Sequence, residues 1–448
     1  MEVGVHAEQF KNNINSRWLD KEMNNVAGNN PKYSIILPAR NGFNYLPTCI
    51  NTIIDQNYND YELIISDDHS NDGTKQYLNN LSHPNIITIE PPEELSMSEH
   101  WEWALTHARG EWIIFVGQDD GLQPYFFQLS DRLIEMAESK KLRVIVSARA
   151  HYFWKGCNLA YGDIAVSYGA VNKIKIFNSK VEALKALLGI QNYFELPQMY
   201  TTSICKKNLL EEAAAKQGGK VFLAHPQDAN LAVIACSLDK NYLKTFIPLG
   251  WVGSSPKSAG MAINFGAGKK QKDSEGLSVL AAIKNEYEEK VANSKYKYPD
   301  YAGDFSFGDA SIYFWQALLQ TQSLRSIALN RMLGSHFFKV ILFGCILIRM
   351  IRQKKLSSHQ AMFMEILERN RCNYIIVYIV SLFALMGALI WKTLNLCTRV
   401  VNKIKHISFG TKVTHTANWL DNQDMHMMQA SNIVMNLLVC KKWIKADE

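Results

Sequence analysis

None of the eight cysteines stands in a C-x-x-C pair or another short metal-binding spacing. That excludes a zinc ribbon and a dithiol redox centre, and the thiols read as those of a reduced, cytosolic protein. A strong charge of one sign is also missing. The formal net charge of +6 is not gathered into a basic stripe, so nucleic acid is not expected as a partner. Residues 1–32 are polar and Asn-rich and lack the apolar stretch of a secretory leader; they read as a loosely ordered or helical lead-in. No internal repeat or low-complexity tract stands out. What is there is 448 residues, enough for more than one structural unit around a sizeable core.

The chain is organised around residues 110–124, G-E-W-I-I-F-V-G-Q-D-D-G-L-Q-P. The uncharged apolar run 112–116 has the length of a fully buried strand. It stops at Gly117, and Asp119 and Asp120 follow at once. Adjacent carboxylates repel, so at the end of a core strand they call for a cation. A hard ion, Mg²⁺ or Mn²⁺, shared with substrate phosphate oxygens meets that need. A polar Asp-Asp-Gly turn before the next helix would explain the same residues without a ligand. The rest of the chain favours the ion.

Residues 33–37 (Y-S-I-I-L) form a buried-strand pattern that ends at Pro38, with turn chemistry over 38–42 and helical apolar spacing over 46–54. A second strand, 61–66, runs into D-D-H-S-N-D-G-T, and a helix follows from Thr74. A third strand over 86–89 and a helix over 98–107 lead into the Trp112 strand. Strands alternating with helices, each strand ending in polar turn residues, predict a mostly parallel α/β sheet. Ligands bind beyond the carboxyl ends of such strands. Arg40-Asn41, Asp67-Asp68 and Asp119-Asp120 should therefore share one rim.

The runs S-I-I-L-P-A-R-N, E-L-I-I-S-D-D-H-S-N-D-G-T and A-R-G-E-W-I-I-F-V-G-Q-D-D resemble the successive motifs of family 2 glycosyltransferases with the GT-A fold. The resemblance is strong over residues 33–130 and weaker to about 260. It implies that Pro38, Ala39, Arg40 and Asn41 border the base and ribose of a nucleotide. It also implies that Asp67 accepts the imide N–H of uracil or thymine, a discrimination that works through the cost of leaving a buried acceptor unpaired. Asp68 would be a second nucleotide contact. An Asx-turn or cap before Thr74 is the plain alternative for both. His69 replaces the family's usual Gly, and His tolerates left-handed backbone better than most residues. Arg40 replaces a common aromatic residue and could pair with a diphosphate. The family's metal motif is usually Asp-x-Asp; here Gly117 and Gln118 depart from it. The resemblance assigns Asp120 to the metal and Asp119 to ribose or metal.

Another apolar strand, 142–146, leads into S-A-R-A-H-Y, and residues 151–195 carry no readable motif. Tyr200 and Ser203 are candidates for acceptor contacts, each equally explicable as structural. Asp228 opens a helix over 229–236, where a carboxylate suits the macrodipole as an ordinary cap. The family places its general base at this point, so the resemblance makes Asp228 the catalytic base, with His225 an outside candidate. Residues 246–260, F-I-P-L-G-W-V-G-S-S-P-K-S-A-G, read as a flexible loop that brings Trp251 and Lys257 over a diphosphate. A plain surface loop fits almost as well.

Residues 373–391 are uncharged and just long enough to span a bilayer. The apolar run 340–348 is shorter and bounded by Lys339 and Arg349. A two-span hairpin would export a segment rich in arginine and lysine, against the positive-inside tendency. Monotopic attachment to the cytoplasmic face of the (inner) membrane is therefore expected, with a single span or a buried hairpin as alternatives. The tail, 433–444, has the spacing of a further interfacial helix.

The expected fold is α/β, a GT-A-type, Rossmann-like and mostly parallel sheet over 33–265. A helical extension over 266–330 and a membrane-associated helical region over 331–448 would follow. The expected function is inverting, metal-dependent transfer of a sugar from a nucleotide-diphosphate donor, a UDP-sugar, to a hydroxyl of a glycan or polyprenyl-linked acceptor. The alternative is a catalytically weak, membrane-attached subunit that binds sugar nucleotide or glycan. A nucleotidyltransferase would need a Gly-rich basic loop after the first strand, and residues 38–44 do not supply one.

Overall fold

The computed structural model describes residues 30–154, 164–168, 174–223, 227–256, 258, 310–353, 356–383, 413–417, 427, 430 and 431. The N-terminal half follows the predicted alternation. Strand β1 (Tyr33–Ala39), helix α1 (Leu46–Ile54), β2 (Tyr61–Asp67), α2 (Thr74–Asn80), β3 (Ile86–Ile89), α3 (Met97–Leu105) and β4 (Trp112–Phe115) succeed one another. β1 pairs in parallel with β2 on one side and β4 on the other, and β3 extends the parallel set beyond β2. Ile35 and Leu37 enter one core and Ile36 another. Burial on both faces is what a charge-free strand predicts. β1 runs two residues past its expected end at Leu37, because Pro38 and Ala39 still pair with Ser66 and Asp67.

Beyond β4 come β5 (Gly121–Leu122), α4 (Phe126–Ser139), β6 (Val144–Phe153), β7 (Ile164–Tyr168) and β8 (Lys175–Asn178). Then follow α5 (Ser179–Leu187), β9 (Ser203–Lys206), α6 (Lys207–Lys216), α7 (Gln227–Leu238) and β10 (Asn241–Ser254). β9 joins β4 to β6, antiparallel to both, so the sheet is mixed on this side. β10 lies parallel to β6 with two register shifts.

The expected flexible loop over 246–260 is corrected here: most of it belongs to β10. Its glycines serve close packing rather than mobility. A Cβ on Gly250 would sit 2.6 Å from the Thr201 Cβ, and one on Gly253 would sit 1.7 Å from the Asp119 carbonyl oxygen. Trp251 is fully buried and its Nε1–H donates to Ser431 Oγ at 2.8 Å. It therefore lines no donor or acceptor surface.

The C-terminal helices α8 (Ala310–Gln320), α9 (Ile327–Gly334), α10 (His336–Arg352), α11 (Leu356–Arg369) and α12 (Tyr374–Phe383) follow. Phe314 and Trp315 of α8 and Leu342, Phe343, Ile346 and Leu347 of α10 join the same core as α7. Arg349, at the far end of the 340–348 apolar run, donates to the Leu188 carbonyl at 3.1 Å and to Ser311 Oγ at 3.0 Å. Among the described residues no single helix is long and apolar enough to cross a membrane; the bent pair α9–α10 passes that test only together. Residues 1–29, 266–309, 384–391 and 433–444, on which several expectations rest, lie outside the described residues.

Candidate active site

The carboxyl ends of β1, β2 and β4 present the turns that the sequence singled out. After β1, Asn41 sits in the left-handed region (φ 51°), which its short side chain tolerates. Its N–H donates to Ser70 Oγ at 2.7 Å, and its own Oδ1 accepts the Asn71 N–H at 2.8 Å. The first turn is thus tied to the second. His69 also adopts left-handed backbone (φ 54°), so the turn keeps the shape that a glycine would give it.

Asp67 is buried at the end of β2. Its Oδ1 accepts the Ser70 hydroxyl, whereas its Oδ2 is buried with no hydrogen-bond partner. Burial raises its pKa, against the pull of Ser70. A buried acceptor without a donor is costly, and such an atom calls for a ligand. Asp68 is more fully engaged: Oδ1 accepts the Leu95 N–H at 3.1 Å and Oδ2 the Arg40 guanidinium at 3.1 Å. Arg40 also reaches Glu94 at 2.5 Å. It is committed to two carboxylates here rather than turned toward a diphosphate. Pro38 and Ala39 are buried in β1 beneath these turns.

Gln118 explains the departure from the Asp-x-Asp pattern. Its Oε1 accepts the Arg40 N–H at 2.9 Å and its Nε2 donates to the Arg40 carbonyl at 3.2 Å. One planar amide thus bridges the β1 turn to the β4 turn, and a carboxylate has no proton for the second bond.

Asp119 and Asp120 follow. Asp120 Oδ2 accepts the Gly117 N–H and Oδ1 the Gly253 N–H, both at 2.7 Å. Asp119 Oδ2 accepts the Ser255 N–H at 3.2 Å, and its carbonyl takes the Trp154 indole N–H at 2.8 Å. Burial and the Asp119 charge hold the Asp120 carboxyl well above its ordinary pKa, and burial also raises Asp119.

Asp228 lies in the first turn of α7, buried, with Oδ2 accepting the Tyr193 hydroxyl at 2.9 Å and Oδ1 the Ala229 N–H at 2.7 Å. Burial raises its pKa, while Tyr193, the Ala229 N–H and the Arg149 charge pull it down. Tyr200, half-buried on the Trp101 ring, feels both ends: desolvation and then the Asp228, Asp120 and Asp119 charges push its hydroxyl pKa up. Tyr200 and Thr201 are both left-handed (φ 66° and 61°). For a β-branched threonine that is strained backbone. It is held by Thr201 N–H to the Phe115 carbonyl at 2.9 Å and Thr201 Oγ1 to the Trp251 carbonyl at 3.1 Å.

Asp119, Asp120, Asp228 and Tyr200 influence one another electrostatically, and Asp67 and Asp68 stand at the same sheet end two strands away, across β1. Ser203 lies inside β9, where its hydroxyl accepts the Gln198 N–H at 2.9 Å, so it is corrected from acceptor contact to structural residue. Lys257 and His225 lie outside the described residues. Tyr193 and Arg149 were not singled out as site residues. The one available signal was a charged residue just past an apolar run, at the carboxyl half of β6.

Residues 34–184 match the family model described as Glycosyl transferase family 2. They form a family 2 glycosyltransferase domain. This domain is 32% identical over 95 residues to a PGL/p-HBAD biosynthesis glycosyltransferase of Mycobacterium tuberculosis, a stretch covering 20% of this chain and 37% of that relative. It is 28% identical over 145 residues to the hyaluronan synthase of Pasteurella multocida, covering 32% of this chain and 14% of the synthase. The chain thus spans little more than a third of the mycobacterial relative. Among solved structures, S. aureus TarS 1–349 in complex with UDP-GlcNAc is similar at a TM-score of 0.40 and 14% identity, over 77% of this chain and 93% of that one.

Proposed function

We propose that this family 2 glycosyltransferase domain has the GT-A fold and moves a sugar, with inversion, from a nucleotide-diphosphate donor to an acceptor hydroxyl. The observation that carries the reading is the meeting of three acidic elements at one end of the sheet. Asp67 Oδ2 is an unsatisfied buried acceptor. An imide N–H of uracil would satisfy it, which favours a UDP-sugar over a cytidine donor. Asp228 is a buried carboxylate with two hydrogen bonds and nearby positive charge. It would take the proton from the acceptor hydroxyl as that oxygen attacks the anomeric carbon. A single base on the acceptor side gives inversion.

The chemistry of the acidic pair fits a divalent ion. Each Asp120 oxygen takes one backbone N–H and keeps a lone pair, and the buried Asp120 and half-buried Asp119 lack a full counter-charge. Among the described residues no cluster of three His, Cys, Asp or Glu side chains forms a metal site of the protein's own. Asp120 and Asp119 would hold Mg²⁺ or Mn²⁺ only together with donor phosphates. When bound, such an ion offsets charge growing on the departing diphosphate.

A glycan or polyprenyl-linked acceptor at the cytoplasmic face of a membrane suits the apolar outer face of α12, where Ile375 and Phe383 are 66% and 64% exposed. The second reading, a membrane-attached binding subunit with weak activity, draws on Gln118, which takes the place of a carboxylate. One experiment separates them. Purified protein with Mn²⁺ is offered a panel of nucleotide sugars and acceptors, and free nucleotide is measured. The active reading expects release by the wild type and a loss of about 10²- to 10⁴-fold in Asp228→Asn, with nucleotide affinity unchanged. Asparagine retains both hydrogen bonds, because the Tyr193 hydroxyl can turn to accept. Equal turnover by the variant would remove Asp228 as the base.

A further inference from the structure

Arg149 is a second positively charged side chain at this site, and unlike Arg40 it is paired with no carboxylate among the described residues. It lies in β6 between Ala148 and Ala150, at a register shift where β10 pairs Pro248 with Ala148 and Trp251 with Ala150. The irregular backbone sets this side chain apart from the regular ladder. Its guanidinium stacks on the Phe194 ring at 4.4 Å. Its Nε is buried without a hydrogen-bond partner, and no carboxylate among the described residues lies within ion-pair distance. The charges that act on it at longer range are Asp228, Glu195 and Asp120. Phe194 packs on Tyr193, whose hydroxyl donates to Asp228, so the guanidinium lies on the side of the proposed base.

A neutral sugar hydroxyl does not call for this arrangement. Arg149 is half-buried, and a partly desolvated cation whose buried Nε–H has no acceptor is costly unless an anion completes it. Phe194 covers one flat face of the guanidinium, which leaves the edges, where all five N–H groups lie. That fork matches a pair of oxygens on one phosphorus or one carboxyl carbon. The arrangement also serves selectivity, since Asp119, Asp120 and Asp228 would otherwise repel an anion from this space.

We infer that Arg149 is an oxyanion-binding residue of the donor site, gripping two anionic oxygens on the Asp228 side of the acidic site. The inference rests on the nucleotide-sugar reading above. Two sources supply such oxygens: the diphosphate of the donor, and the carboxylate of an acidic sugar. Arg149 touches the donor in either case and makes or breaks no bond.

The test uses the full chain with Mn²⁺ and calorimetric titration of uridine, UDP, UDP-glucose and UDP-glucuronate into wild type, Arg149→Met and Arg149→Lys. If the oxyanion is diphosphate, Arg149→Met binds UDP about 10- to 100-fold more weakly, the range for a charged hydrogen-bonded pair, and uridine as before. If it is a sugar carboxylate, UDP is unchanged, the wild type prefers UDP-glucuronate to UDP-glucose, and the methionine variant loses that preference. Arg149→Lys keeps the charge without the fork and should fall between. It also serves as the folded control should the methionine variant unfold. Wild-type affinities for all the ligands in either folded variant overturn the inference. A wild type that binds none of them removes the nucleotide reading and this inference with it, and it differs from the preceding outcome because the unmutated protein is then already silent.

Discussion

At Gln118 one side-chain amide both gives and takes a hydrogen bond with the Arg40 backbone. Restoring an acid there should therefore not improve the enzyme. Gln118→Glu places a carboxylate oxygen against the Arg40 carbonyl, and Gln118→Asp is too short to reach. A loss of about 1 kcal/mol in the order of the β1 turn is expected, read as a roughly fivefold rise in the donor KM with the fold intact. An unchanged KM would show that the bridge is incidental. His100 makes a different residue-scale prediction. It is buried beneath the second turn with Nε2 2.9 Å from Ser66 Oγ, and burial holds its pKa down at about 4. Arg40 and His69 act on it in the same direction. Since the folded pKa lies below the unfolded one, the unfolded chain binds the proton first as pH falls. The contribution is whole above about pH 6.5 and is lost progressively toward pH 4, by up to about 3 kcal/mol. Urea midpoints at pH 7 and pH 5 should converge more closely in His100→Gln than in the wild type. A parallel shift in both proteins would assign the acid sensitivity elsewhere.

Elements were legible in the sequence where local pattern decides them, and illegible where a distant neighbour does. β1 and β4 announce themselves as charge-free runs stopped by polar turns, and β2 as an apolar run leading into D-D-H-S; the Ser96–Glu99 capping box starts α3 at Met97, one residue before the start that apolar spacing suggests. β10 does not announce itself, because its glycines suggest a mobile loop and the reasons for them lie in distant neighbours, Thr201 for Gly250 and the Asp119 backbone for Gly253. The same holds for the site. Asp67, Asp120 and Asp228 stand at strand or helix ends and could be picked out. Tyr193 and Arg149 are single residues whose meaning appears only when the 3₁₀ turn Tyr193–Glu195, β6 and α7 are brought together. Gly253→Ala tests the element-scale claim. Its Cβ would lie 1.7 Å from the Asp119 oxygen and 3.1 Å from the Asp120 N, so β10 must move away and withdraw the N–H given to Asp120. A loss of about 3 kcal/mol or more in stability and of nucleotide-sugar turnover is expected. A variant with wild-type melting and turnover would return this stretch to a loop.

On the scale of the molecule, the apolar C-terminal run divides its roles. α10 is a core helix: Phe343 and Ile346 are buried in the core that α7 and α8 share, and Arg349 is spent on carbonyl and hydroxyl oxygens. The helix that carries Asp228 is thus backed by α8, and α8 in turn belongs to the core that α10 fills. α12 packs on α10 through one side only. Val377 is fully buried, and Ser381 Oγ donates to the Gly344 carbonyl at 3.2 Å. Its other side, Ile375, Ile376, Ile379, Leu382 and Phe383, is exposed, and Arg369 and Arg371 precede it. An apolar stripe beside basic residues is the pattern of a helix lying in an anionic lipid surface. Burying three such side chains is worth roughly 5 kcal/mol, enough for reversible attachment. The full chain should float with phosphatidylserine-containing vesicles and less so at high salt. A triple Ile375→Ser, Ile379→Ser, Phe383→Ser variant should remain in the soluble fraction while releasing nucleotide from a soluble donor at the wild-type rate. If the variant floats as the wild type does, α12 is not the attachment and the surface reading has to move to another part of the chain.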